Sequence, residues 1–173
     1  MKRLTIVELL DTIDAHALWL ETDKKEGKCA EFNKVDFSGL DLTELDLRYA
    51  KFTDCNFNHA NLSYSNFANA KFTNCTMNEA NLKRASFRSA SMLWMVMKNA
   101  TAINTEFMKA DLKSAMLIGT RFDHAAFHFA NLNDANVFGC TFIGATFNNA
   151  NLDHIHNLNN ANTTDATFYK ARL

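Results

Sequence analysis

The strongest constraint on the fold is an apolar residue at every fifth position. The stretch "AKFTDCNFNHANLSYSNFANAKF", residues 50–72, has Phe or Leu at Phe52, Phe57, Leu62, Phe67 and Phe72. A helix repeats its apolar face about every 3.6 residues, and a strand repeats its face about every 2 residues. Neither period matches a step of five, so the chain must follow a different repeating path.

The five-residue repeat extends over most of the chain. The 25 positions taken in steps of five from residue 32 to residue 152 hold 12 Phe, 8 Leu and 3 Met, together with Ala102 and Val137. The positions two residues earlier hold 15 Ala and 3 Cys, and the other positions are mostly polar. Residues two apart on an extended segment point to the same side. The small and the large residue of each unit therefore face inward, and polar residues turn a corner before the next unit.

This unit predicts an all-β solenoid. Repeating it winds the chain around its own core, and successive coils pair through main-chain hydrogen bonds about 4.8 Å apart. A coil of four units would be square and a coil of three units triangular. Ala occupies every position from 30 to 150 in steps of 20, whereas a step of 15 mixes Phe, Leu and Met at the inward positions. The sequence therefore favours the square coil. With no Pro and only 5 Gly in the chain, its corners are expected to depend on Asn, which tolerates left-handed backbone and bonds to nearby backbone.

The units "HANLS", "NEANLKRASF" and "HFANLNDANV" follow the pattern A-[DN]-[LF]-x-x, which resembles the pentapeptide-repeat family. The resemblance covers residues 30–173. It implies a right-handed quadrilateral β-helix, and the right hand rests on the resemblance alone. Residues 31–173 would then form about seven coils, a rod about 34 Å long at the spacing of stacked strands.

The N-terminal segment departs from the repeat. The stretch "TIVELLDTIDAHALWL" has apolar residues at helical spacing, and Thr5 and Glu8 form a capping-box pattern at its start. Gly27, after a run of lysines, is typical of a helix stop. We expect a capping helix of about 16 residues that covers the edge of the first coil. The predicted division is residues 1–30 for this helix and its linker and residues 31–173 for the β-helix.

The repeat also slips once near its C-terminal end. Leu152 lies on the five-residue phase, but Leu158, Phe168 and Leu173 lie one residue later. Residues 153–157, "DHIHN", are therefore predicted to carry one extra residue as a bulge or small loop.

The sequence shows no motif for catalysis or cofactor binding. It has no nucleophile elbow, phosphate loop or paired-carboxylate motif, and a regular rod lacks a deep cleft. We expect no enzymatic activity, no catalytic residue and no cofactor. No metal site is expected, because the paired histidines lack a third ligand and three of the four cysteines occupy the small inward position; these residues are His124, His128, His154, His156, Cys55, Cys75 and Cys140. Without a signal peptide or a long apolar run, the chain is expected to be cytoplasmic and away from membranes.

The stretch "SMLWMVM", residues 91–97, is the clearest departure from the repeat. Leu93, Trp94 and Val96 fall on outward positions that are polar in other units. On a square coil Val96 would stack on Met116 of the next coil. Exposed apolar patches often mark interfaces, so we predict a surface for a partner or a second copy; the alternative is that Trp94 folds over a locally widened coil. The predicted patch consists of Leu93, Trp94, Val96, Met116, Ile118 and Phe138.

Charge gives a second functional indication. Residues 31–173 hold 13 acidic and 13 basic residues, so the predicted rod is neutral. The first coil is acidic and the middle of the rod is basic. The best-known members of the family that the sequence resembles imitate B-form DNA and bind DNA gyrase or topoisomerase IV. The resemblance makes these acids of the first coil candidates to stand in for phosphates: Asp36, Asp41, Glu44 and Asp46.

The main hypothesis is a non-enzymatic protein-binding module, with a type II topoisomerase as the leading named target. A DNA mimic should be acidic along much of its length, and this rod is acidic only at its start. The first alternative is a structural or self-assembling rod. Nucleic-acid binding through the basic middle is the least favoured. A homodimer is also predicted, through the patch or through the last coil with Phe168 and Leu173, because an unpaired edge invites pairing.

Overall fold

The computed structural model describes residues 1–173. Helix α1 spans Ile6–Glu21 and is followed by strands β1 (Glu31–Asn33), β2 (Lys51–Thr53) and β3 (Lys71–Thr73). The three strands form one parallel sheet in the order β1-β2-β3. Beyond β3 the coils pair through single parallel bridges, and a short 3₁₀ helix spans Leu158–Asn160.

The bridges give the coil four sides. Up to Asn136, bridged residues of the repeat pair at a step of 20 along the chain, and four such columns make up each coil. This step of 20 residues is the coil length that the aligned alanines of the sequence predict. We number the four sides, first to fourth face, by the columns that begin at Glu31, Asp36, Asp41 and Asp46.

The core is a set of stacked side chains along the solenoid. Phe107 is fully buried, and its ring lies 5.4 Å from that of Phe87 and 5.0 Å from that of Phe127. Both ring pairs are nearly parallel, at 8° and 6°. The sequence predicts this stack, because the three residues are spaced by one square coil.

Asparagine shapes the corners in two ways. The Asn56 side chain accepts a hydrogen bond from the Asn58 N–H at 3.0 Å, which bends the chain after the bridge residue. Left-handed backbone completes the corners, with a φ of 60° at His59 in this corner and of 60° at Asn69 and 53° at Asn74 in later ones. Asn adopts this conformation at low cost, but most left-handed corners carry other residue types such as Lys, Glu, Ser and His, so the corners depend on Asn only in part.

Helix α1 lies over the apolar end of the first coil. The Thr5 hydroxyl accepts from the Glu8 N–H at 3.2 Å, and the Glu8 carboxylate accepts from the Thr5 N–H at 2.8 Å, so the predicted capping box is present. Leu9 and Ile13 line a small apolar space together with Leu45 and core residues of the first coil. The helix is neither long enough nor apolar enough to cross a membrane.

The helix has 16 residues, as predicted, but Gly27 does not end it. Its C-cap is Thr22, whose hydroxyl donates to the Leu18 carbonyl at 2.7 Å. Gly27 instead lies in the returning chain with a φ of 73°, and a Cβ there would lie 2.2 Å from the Ala15 carbonyl oxygen. Gly27 is therefore required by the close return of the chain onto the helix, not by the helix end.

The pairing of the last coils limits where the extra residue can lie. Asn136 still pairs with His156 at a step of 20, but Thr141 pairs with Asn162 at a step of 21. The extra residue is therefore within 157–161, where Asn157 is left-handed and the 3₁₀ helix follows, and this range shares Asn157 with the predicted 153–157. The phase of the large residues alone marks that a slip occurs, but it does not distinguish these neighbouring positions.

Candidate interaction surfaces

The second face carries the residues of the predicted patch. Its bridge column changes from polar to apolar between Thr76 and Val96, and returns to polar at Asn136. Val96 and Met116 are paired across adjacent coils. The full column is Asp36, Asn56, Thr76, Val96, Met116, Asn136 and His156.

The corners on either side extend this apolar surface. Trp94, at the corner before the second face, is 68% exposed, and Phe138, at the corner after it, is 51% exposed. Met116 lies between them and is 38% exposed. Leu93, Val96 and Ile118 are half-buried beside these three. The structure thus brings all six predicted residues to one side of the solenoid, and we call these six residues the apolar patch.

Trp94 projects outward because of its backbone position. It occupies the left-handed corner position, with a φ of 54°. Its ring does not fold down over the coil, since more than half of the side chain is exposed. A shallow groove of about 190 Å³ lies beside the ring and is also lined by Lys71, Asn74 and Leu93.

The coil beneath the patch is locally rearranged. Met95 and Met97 are both buried, and Met95 occupies a position that holds a small residue in most units. The corner after Met97 lacks the hydrogen bond between Ala100 N–H and the Met97 carbonyl that most other corners have. The Met97 carbonyl accepts the buried Thr120 hydroxyl instead. Residues 91–97 therefore differ from the other units both in their buried side chains and in their exposed side chains.

The four predicted phosphate-mimicking acids do not form a row along the solenoid. Asp36, Asp41 and Asp46 begin three different faces of the first coil, and Glu44 lies at a corner between them. Asp46 is held by Arg48, with an Oδ2–Nη2 distance of 2.8 Å. The structure therefore distributes these charges around the coil.

Asp36 is also engaged by neighbouring groups. Its carboxylate lies 3.3 Å from the Arg3 guanidinium and accepts from the Asn56 side-chain amide at 2.9 Å. Hydrogen bonds from Ser38, through its hydroxyl and then its backbone N–H, and the nearby Arg3 lower the pKa of the Asp36 carboxyl. Asp36 is consequently ionised at neutral pH, but part of its charge is compensated.

A buried histidine under the cap is the residue that the sequence reasoning missed. His16 is fully buried, its Nδ1 accepts from the Ala30 N–H at 3.1 Å, and its Nε2 has no partner. Its ring stacks on Trp19, with centroids 5.6 Å apart. Desolvation lowers the pKa of His16, although the nearby Asp46 acts in the opposite direction. The sequence did contain a signal, because His16 continues the helical spacing of Leu9 and Ile13.

The other titratable side chains do not assemble a chemical site. All four cysteines are free thiols, and burial raises the pKa of the Cys140 thiol to about 12. Cys55 and Cys75 are buried at adjacent coils, where each thiol donates to a backbone carbonyl. No group of three or more His, Cys, Asp or Glu side chains is arranged to hold a metal ion.

The fold defines a repeat solenoid of five-residue units whose four sides are open to solvent. The family model described as "Pentapeptide repeat region" matches residues 28–101, and the model described as "Pentapeptide repeats (8 copies)" matches residues 105–142 and 120–155. The chain belongs to the pentapeptide-repeat family. Comparison with the curated proteins gives no significant match.

Solved structures of pentapeptide-repeat proteins share the solenoid. QnrB1 in a trypsin-treated form, a plasmid-mediated fluoroquinolone resistance protein, is 20% identical with a TM-score of 0.56, over 79% of this chain and 78% of QnrB1. HetL, a pentapeptide repeat protein involved in heterocyst differentiation regulation from the cyanobacterium Nostoc sp. strain PCC 7120, is 18% identical with a TM-score of 0.48. That alignment covers 98% of this chain and 95% of HetL. At these identities the likeness to QnrB1 supports the fold alone.

Proposed function

We propose that this chain is a non-enzymatic protein-binding module and that the apolar patch is its contact surface. The observation that carries this proposal is the exposure of Trp94, Met116 and Phe138 side by side on a scaffold whose outward positions are mostly polar. Large exposed apolar side chains that lie together mark interaction sites. Trp is also among the residues that contribute most to binding at interfaces.

Affinity capture with matched variants tests this proposal. Trp94→Asn should keep the fold, because Asn is common at left-handed corners, and it should abolish capture of the partner from a cell lysate. Phe129→Asn is the matched control, since Phe129 is also an exposed corner aromatic, with a φ of 59° and 58% exposure, but lies outside the patch. Equal capture by wild type and Trp94→Asn, with loss in Phe129→Asn, would place the contact elsewhere.

The leading named target is a type II topoisomerase such as DNA gyrase. This part of the proposal is supported by the family membership and by what the best-known members of the family bind. The charge distribution weakens it, because the acids surround one coil and the basic residues of the middle coils would repel a DNA-binding surface.

We therefore expect at most weak inhibition of gyrase supercoiling, stronger at low salt because charge attraction is screened by ions. The assay is a titration of the purified protein into a supercoiling reaction. Inhibition at submicromolar protein, abolished by neutralising the four acids of the first coil, would instead establish DNA mimicry.

A homodimer is the second part of the proposal, through either the last coil or the apolar patch. The ring of Phe168 stacks on Phe147 at 5.0 Å and is only half-buried, and Leu173 is 74% exposed. Light scattering at tens of micromolar protein should give the mass of a dimer, and a monomer would contradict it. Loss of the dimer in Phe138→Asp, but not after deletion of Leu173, would select the patch.

A further inference from the structure

Three lysines without ion-pair partners surround the apolar patch. Lys71, Lys98 and Lys113 do not take part in any of the salt bridges of the structure. Lys71 lines the groove beside Trp94. Their charges are therefore available at the surface of the molecule.

The other two lysines adjoin the patch through the coil-to-coil hydrogen bonds. The Trp94 N–H donates to the Lys113 carbonyl at 3.0 Å, so Lys113 lies directly beside the Leu93–Trp94 corner on the next coil. The Asn99 N–H donates to the Ile118 carbonyl at 2.9 Å, which places Lys98 beside Ile118 at the other corner. The patch thus has a cation at both of its lateral edges.

The nearby acids offset these cations only in part. The Asp111 carboxylate accepts from the Asn131 side-chain amide at 2.9 Å and from the Lys113 N–H at 3.2 Å, so it is turned into the bridge column of the first face. The Glu79 carboxylate lies 3.4 Å from the His59 imidazole. Asp134 lies on the same corner as Trp94 but two coils away, with Ser114 between them. Immediately around Trp94 and Met116 the rim is therefore basic.

This rim disfavours a second copy of the chain as the occupant of the patch, and of the two proposed dimer contacts it therefore favours the last coil. A two-fold contact places the same surface on both sides, so three lysines of one molecule would face three lysines of the other. Like-charge contacts of this kind are unfavourable and exclude wrong partners. An occupant with carboxylates at its margin would instead be favoured on the same surface.

Resting on the proposed protein-binding function, we propose that the apolar patch binds an acidic amphipathic segment of another protein. Aliphatic or aromatic side chains of that segment cover Trp94, Met116 and Phe138. Its carboxylates pair with Lys71, Lys98 and Lys113. The apolar contact supplies the affinity, and the lysines select a partner of negative charge.

The test uses two synthetic peptides that share their leucine positions, one with Glu and the other with Lys at all polar positions. The chain has two tryptophans, Trp19 and Trp94, so a Trp19→Phe variant leaves the patch tryptophan as the only indole reporter. Titration of the Glu peptide should shift the Trp94 emission to shorter wavelength, with an affinity that falls as salt is added. The Lys peptide should bind at least about tenfold more weakly, as expected for three rim charge pairs.

Charge reversal sharpens the test. The triple variant Lys71→Glu, Lys98→Glu and Lys113→Glu should lose about tenfold in affinity for the Glu peptide and gain affinity for the Lys peptide. The matched control reverses three exposed lysines outside the patch, Lys83, Lys109 and Lys170, and should bind the Glu peptide nearly as the parent does. Exchange of peptide preference by the first variant alone supports the proposal.

The other outcomes overturn it in distinguishable ways. Equal binding of both peptides to the parent would show an apolar surface without charge selection. Failure of both peptides, together with a lysate partner whose capture depends on Trp94, would leave the proposed function intact and reject an acidic segment as the occupant. Self-association that is lost in Phe138→Asp would assign the patch to a second copy.

Discussion

The second face has two halves that share a backbone but differ in their surface. In the N-terminal half the Asn56 side-chain amide donates to Asp36, and the Thr76 hydroxyl donates to the Asn56 side-chain oxygen at 3.3 Å, so polar groups bond from coil to coil. In the C-terminal half the same column holds Val96 and Met116, which are paired by backbone bridges alone. The backbone bridges have the same step in both halves.

This difference shows that the coil does not depend on its outward side chains. Both halves bury inward side chains and join their coils by main-chain hydrogen bonds, apart from the rearranged corner after Met97, and these features are sufficient to continue the fold. The outward positions are therefore free to form a hydrogen-bonded column in one place and a binding surface in another. Function in such a scaffold is to be sought where the outward pattern changes, as it does at residues 91–97.

The largest effect is expected from the core that supports both halves. Phe107→Ala should lower the free energy of unfolding by about 3–5 kcal/mol, because it removes a buried ring and leaves a cavity in the Phe stack. Chemical denaturation would measure this change. A loss of less than about 1 kcal/mol would contradict the stacking that both halves share.

Acidification should destabilise the N-terminal end of the chain, around His16, more than the coils that carry the apolar patch. The pKa of His16 is lowered from its usual 6.5 in the folded chain, so the unfolded chain binds the additional proton more readily as the pH falls through that value. The stability that neutral His16 contributes is present at higher pH and is lost progressively below about 6.5. Protonation would also compete with the hydrogen bond that Nδ1 accepts from Ala30.

Hydrogen exchange, corrected for its intrinsic pH dependence, checks this expectation. Lowering the pH from about 7.5 to about 5.5 should increase exchange in α1 and the first coil, with little change in residues 91–140, since the usual His pKa lies between these values. His16→Leu should remove the regional pH effect whatever its overall stability. An equal increase of hydrogen exchange in both regions of the wild type would show that groups other than His16 dominate the effect of pH.

The smallest effects come from exchanging outward residues between the halves. Asn56→Met removes hydrogen bonds to Asp36, Asn58 and Thr76 and should cost at least about 1 kcal/mol, the usual net contribution of a single such bond. Met116→Asn lies on the exposed surface and should change the stability by less than about 0.5 kcal/mol, while it weakens partner binding. A larger loss in Met116→Asn than in Asn56→Met would show that the patch stabilises the coil.

Much of this fold follows from the spacing of residue types. The five-residue phase, the alanines aligned at steps of 20 and the stacked Phe87, Phe107 and Phe127 all depend on inward packing, which repeats regularly and leaves a regular signal. The capping box of α1 is predictable for the same reason, since Thr5 and Glu8 act on their own backbone. The apolar patch could be located because it breaks a pattern that the rest of the chain maintains.

The remaining features depend on contacts between segments that no local pattern describes. The role of Gly27 follows from the approach of the returning chain to Ala15, and the buried state of His16 follows from the docking of α1 on the first coil. The compensation of Asp36 by Arg3 joins residues far apart in sequence. These details require the three-dimensional position of the N-terminal segment.

The extra residue within 157–161 has a consequence for how such a chain can change. Beyond it, Phe168 still stacks on Phe147 at 5.0 Å, and Thr146 still bridges to Thr167, although both pairs are now separated by one position more than the pairs of earlier coils. The register of each coil is thus set by its pairing with the preceding coil and not by a fixed spacing along the whole sequence. An insertion at a corner remains a local event, and the corners of this rod are places where evolution or design could introduce a new loop while the later coils keep their sequence and their stacking.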